Sequence, residues 1–265
     1  MIKRVSATMA ALAAAATIVM AQTPAPAPAA APPKGVSAKE ADAIRKVANA
    51  KSPDEKIAAV ENLVTNFADT VYKGEALYEA AEAEDQKGDY AKAVSYGELA
   101  IESDPKGGVG VNAMLLVAGE LAQHTGKFDL DKEEKLGKSE KYVNQALELL
   151  PNIPKPAGVK ISDTDFAAFK KGETSDAHKD LGLIATARQK WEVAITEFKL
   201  AVDNASAPDS VLMARLGNAY NEANKYADAQ AILKKVLEMP NLNPSVEAFA
   251  KQEETRAERG LKSAK

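Results

Sequence analysis

From Ser52 onward the apolar positions recur with a helical period. Ile57, Val60, Leu63, Val64 and Phe67 fall at i, i+3, i+6, i+7 and i+10, which sets a single apolar stripe along one helix. Ser52-Pro53-Asp54-Glu55 ahead of them joins an N-cap, a proline at the first helical position and an acid at the third, a helix start. Ser37 with Glu40 opens an earlier helix that runs to about Ala50. Together they predict a helical hairpin cap over 37–73. A last periodic stretch, 244–262, puts Val246, Phe249, Ala257 and Leu261 on the inward side among Lys, Glu and Arg, and predicts a capping helix over 242–265. No stretch sustains the alternation of a strand.

Between these ends the small residues form a ladder. After Ala81 come Ala93, Ala100 and then Pro105. After Gly182 come Ala194, Ala201 and Pro208, and after Gly217 come Ala229, Val236 and Pro240. From Gly119 the same spacing returns once eight inserted residues are allowed, at Ser139, Ala146 and Pro151. Small residues on both members of a helix pair allow close approach, larger ones between them fill the groove, and proline stops the second helix.

These residues resemble the tetratricopeptide repeat family, whose unit of about 34 residues is two antiparallel helices. The fourth block carries the pattern best, as Met213-x2-Leu216-Gly217-x2-Tyr220, Ala229-x3-Leu233 and Pro240. The third keeps Leu181-Gly182, Ala194-x3-Phe198 and Ala201, with His178 and Ala185 where aromatics are usual. The second carries the insertion DLDKEEKL, and the first has Gly97 at the large position with Tyr96 beside it. The resemblance implies an all-α, tetratricopeptide-like solenoid of helical hairpins, about four repeats with capping helices. Repeats one and two occupy 74–151 and repeats three and four 174–241. A Pro-containing connection, 152–173, separates them, within which Ser162-Asp163-Thr164-Asp165 caps a lengthened helix. Segment 63–105 is also similar to exported bacterial cell-envelope members of the family.

Composition narrows the chemistry. The 265 residues include no Cys, which removes disulfides, thiolate metal sites and cysteine nucleophiles. A net charge of −4 with 38 acids against 34 bases argues against nucleic-acid binding. Lys3 and Arg4, the apolar stretch 5–19 and Val19-Met20-Ala21 read as a signal peptide over 1–21, and 22–36, with its TPAPAPAAAPP, as an extended Ala/Pro-rich linker. The expectation is a periplasmic or secreted protein without stable membrane insertion after cleavage.

Catalytic signatures are weak. His124 and His178 lack convincing companions, and no His-Glu-x-x-His, Gly-x-Ser-x-Gly or phosphate loop occurs. Asp129-Leu130-Asp131-Lys132-Glu133-Glu134 reads as a solvated turn entering a helix, without the glycine a calcium loop needs. Asp163 and Asp165 read as caps. Trp191, Tyr90 and Tyr226 share one register and are expected in the repeat core. No cofactor, metal or catalytic residue is expected.

The resemblance instead implies a partner surface on the first helix of each repeat. It carries over to Glu75, Tyr78, Glu82 and Asp85, then Leu116, Glu120 and Gln123, then Lys179, Leu183 and Thr186, then Asn218, Asn221 and Glu222. The expected function is a non-catalytic scaffold binding a peptide segment or protein in the bacterial cell envelope, its acids favouring a basic segment. The alternative is a permanent structural subunit of an envelope complex, or a self-associating protein.

Overall fold

The computed structural model describes residues 36–156 and 160–263, so the expected signal segment and nearly all of the linker lie outside the described residues. Eleven α-helices and one 3-10 turn occur there, with no strand. No helix among them is long and apolar enough to cross a membrane. The chain divides into two compact units at Ala113/Met114.

The first unit opens with α1 (Ala38–Asn49) and α2 (Pro53–Asn66). Ser37 Oγ accepts the Glu40 N–H at 3.2 Å and Ser52 Oγ the Glu55 N–H at 3.2 Å, so both sequence starts are real caps. The Glu55 carboxylate in turn accepts the Lys51 N–H at 2.9 Å. Next come α3 (Lys73–Lys87) and α4 (Tyr90–Ser103), followed by the first residues of α5 (Gly108–Gln123). Ala43, Val47, Val60, Leu63, Ala76 and Ala80 form one buried cluster, which seats the opening hairpin on α3. Tyr96 on α4 packs against this cluster and donates its hydroxyl to Glu61 Oε1 on α2 at 2.8 Å.

The second unit holds the rest of α5, then α6 (Lys132–Leu149), α7 (Asp163–Ala187), α8 (Trp191–Asn204), α9 (Ser210–Glu222), α10 (Tyr226–Leu237) and α11 (Pro244–Ser263). A β-carbon on Gly182 of α7 would lie 2.4 Å from the Phe198 ring of α8, and one on Gly217 of α9 2.6 Å from Leu233 of α10. The ladder is therefore an interlock: a bare backbone on the first helix receives a large side chain from the second. Ser139 Oγ on α6 donates to Ala118 O on α5 at 2.7 Å, so the insertion restores the same pairing in the second repeat. It does so by lengthening both the turn and the 18-residue α6.

Within 152–173, Ser162 caps the lengthened helix expected before the third repeat. Stretch 163–173 forms the first turns of α7, a single helix of 25 residues, and Ser162 Oγ accepts the Asp165 N–H at 3.0 Å. At the end of the chain Val246, Ala250 and Ala257 of α11 join Met213, Leu233 and Val236 in one core. Phe249, expected inward, is 38% exposed. It lies three residues from Val246, but the buried side of α11 continues through Ala250, Glu253 and Ala257 and leaves Phe249 at its edge.

Candidate functional site

In the first unit Glu75, Tyr78, Glu82 and Asp85 fall on α3 at intervals that keep them on one face. Glu75 reaches solvent, Glu82 and Asp85 are half-buried, and the Tyr78 ring is buried, with its hydroxyl donating to Glu82 Oε1 at 3.1 Å. Glu79 stands among them and accepts from Lys56 Nζ of α2 at 2.5 Å. It was not among the residues expected on this surface, although its i+4 spacing from Glu75 was legible. Partial desolvation and then repulsion from Glu79 lift the Glu75 carboxyl above the usual glutamate range, with Lys56 acting in the opposite direction. The face sets four acids against the cation Lys56 and so keeps a net negative charge.

In the second unit the carried-over residues divide. Gln123, Lys179, Thr186, Asn218 and Glu222 are at least partly exposed. Leu116, Glu120 and Leu183 are 7%, 3% and 6% exposed and belong to the interior of the unit. Asn221 is also buried, and its Nδ2 donates to Glu253 O at 2.8 Å and to Glu253 Oε2 at 2.9 Å. Glu222 accepts from Arg256 Nη1 at 2.5 Å. Asn221 and Glu222 thus hold α11 onto α9 and are not open for a partner. Nothing in the sequence near Asn221 marks this, because its mates lie more than thirty residues away.

Both histidines have carboxylate neighbours on helices. His178 Nδ1 lies 2.8 Å from Glu197 Oε2 and ties α7 to α8; His124 Nε2 is 3.5 Å from Glu120 Oε2. The inserted acids are anchored locally, since Asp129 accepts from the Gly126 N–H at 2.9 Å and Lys135 Nζ lies 3.0 Å from Asp131. Trp191 and Tyr226 are half-buried, Tyr226 lying against Gly260 of α11, whereas Tyr90 is 39% exposed. The shared register therefore gives one starting position on the second helices, but not one degree of burial.

A model of the tetratricopeptide repeat matches residues 74–106 and 212–241, which are blocks one and four of the ladder. The fold is similar to that of a thermophilic TPR protein of Thermus thermophilus, with a TM-score of 0.53 at 13% identity over 81% of this chain and 95% of that one. An assembly chaperone of RpL4 matches with a TM-score of 0.43 at 10% identity, over 85% of this chain and 96% of its own. No curated protein matches in sequence.

Proposed function

Because the chain belongs to the tetratricopeptide repeat family, we propose that it is a non-catalytic scaffold of the bacterial cell envelope that binds a basic segment of a protein partner. The observation that carries this reading is the acidic face of α3, where Glu75, Glu79, Glu82 and Asp85 surround Tyr78. A Lys/Arg-containing segment laid on it gains attraction that grows with each acid. The charged start and Val19-Met20-Ala21 site support export.

Photo-crosslinking in cells from position 86, beside Asp85, followed by mass spectrometry, tests the binding. The expected captured peptide is rich in Lys or Arg and is lost in Glu75→Lys/Asp85→Lys. A captured segment with net negative charge, or capture unchanged in that variant, rejects this face. Export is tested separately by N-terminal sequencing, which should begin at Gln22 in the soluble exported fraction. Residues 1–21 retained in a membrane pellet would reverse it.

A further inference from the structure

Three large apolar side chains stand far above the rest in exposure among the described residues: Val71 at 85%, Phe128 at 86% and Leu130 at 106%, the next being 47%. They fall in two places. Phe128 and Leu130 project from the turn that the eight-residue insertion makes between α5 and α6. Val71 forms the rim of an open hollow of about 440 Å³ in the first unit, with Gly74, Leu99, Asp69 and Glu102 around it.

The two places are complementary. Val71 and Leu99 are the large apolar side chains of its lining, beside the polar Thr70 and Ser103, and are exposed surface that a phenylalanine and a leucine would cover. In the turn, Asp129 and Asp131 are both engaged by Lys135, while Lys127 lies 5.6 Å from the Phe128 ring centroid as the cation beside the apolar pair. Around the hollow the charges are Asp69 and Glu102 against Lys73, an acidic excess that suits Lys127. Gly74 floors the hollow and brings no side chain into it.

We propose that the insertion turn of one molecule, through Phe128, Leu130 and Lys127, docks into the Val71/Leu99 hollow of a second copy of this chain. Such a contact joins unlike surfaces, so it closes into a dimer or ring where the geometry permits and otherwise extends into chains. Two seated side chains bury on the order of 300–500 Å², well below the ~1,600 Å² of a standard stable interface. The association is therefore weak and concentration-dependent. This inference stands apart from the acidic face of α3 and does not rest on it.

Sedimentation velocity of the full chain over a concentration series tests it, with two variants. Phe128→Asp/Leu130→Asp removes the wedge, and Val71→Asp/Leu99→Asp blocks the hollow. The wild type should gain mass with concentration, and each variant alone should stay monomeric with unchanged circular dichroism. Mixed one to one, the variants should form a two-chain species and nothing larger, since one intact wedge meets one intact hollow. A wild type that stays monomeric up to about 500 μM, a range that covers weak association, overturns the proposal. So do variants that associate like the wild type, or a mixture that stays monomeric. If the wedge variant loses capture of another protein from cells while the wild type remains monomeric, the wedge belongs to that protein.

Discussion

At the scale of single residues, the repeats are fixed by a few positions where backbone meets side chain. Gly182 is one, since its missing β-carbon is the space that Phe198 fills. Gly182→Leu should force α7 and α8 apart at about 1–3 kcal/mol. Lys190→Leu, on an exposed side chain in the adjoining turn, should change stability by less than about 0.5 kcal/mol. Thermal denaturation of the two variants should separate them clearly, and equal melting temperatures would contradict the interlock. The turns between paired helices are a second such position. Gly88, Gln189 and Asn224 occupy the same place in repeats one, three and four, with φ of 78°, 58° and 59°. Each is followed by the same bond, from Asp89 N to Glu84 O, Lys190 N to Ala185 O and Lys225 N to Tyr220 O, at 2.8–3.0 Å. A left-handed backbone strains a side chain that glycine lacks, so Gln189→Gly should stabilise the protein by about 1 kcal/mol. Its melting temperature should rise, whereas Gly88→Gln should lower it.

At the scale of elements, the periodic apolar pattern made the helices legible, and the ladder of small residues made their pairing legible, because both depend on neighbours within one repeat. Contacts between repeats were not legible. Asn221 looked like a groove residue until Glu253 and Arg256, on α11 two connections later, engaged it and Glu222. Asn221→Ala should cost about 1–3 kcal/mol by leaving the buried Glu253 carboxylate without that donor. The loss should appear first as faster amide exchange and proteolysis in α11, and uniform loosening of the whole unit would argue against a local tie. Tyr96 joins α4 to α2 in a similar way. Burial, and then the hydrogen bond to Glu61, push its hydroxyl up to about 12 from the usual 10.0. A folded pKa above the unfolded one means the bond stabilises the fold fully below pH 10 and ceases to do so between 10 and 12. Ultraviolet titration should show one tyrosine ionising near the upper value, absent in Tyr96→Phe.

At the scale of the whole molecule, the candidate surface was half legible. The helical spacing of acids on α3 survives as a partly exposed negative face, whereas Leu116, Glu120 and Leu183 are interior, because a first helix also packs against the repeats beside it. A combined reversal of Glu82, Asp85 and Glu120 would therefore confound binding with unfolding, since lysine at the buried Glu120 is costly in itself. Glu75→Lys/Asp85→Lys confines the change to one face of one unit. An oligolysine peptide is the direct probe of that face. Its affinity should drop several-fold between 0.1 M and 1 M salt as the screening length contracts from ≈ 10 Å to ≈ 3 Å. Acid should weaken it in a way specific to Glu75. Its carboxyl holds a proton to higher pH than an ordinary glutamate, so it loses its charge earlier on acidification than an unperturbed glutamate would. A bound cation favours the charged form, and binding therefore releases protons where Glu75 is partly protonated. Calorimetry in buffers of different ionisation enthalpy should detect that release on the acid side, and Glu75→Gln should remove it while keeping the remaining salt dependence. Binding that keeps the same affinity in Glu75→Lys/Asp85→Lys, or that is indifferent to salt, would mean the acids of α3 serve only to solvate the helix.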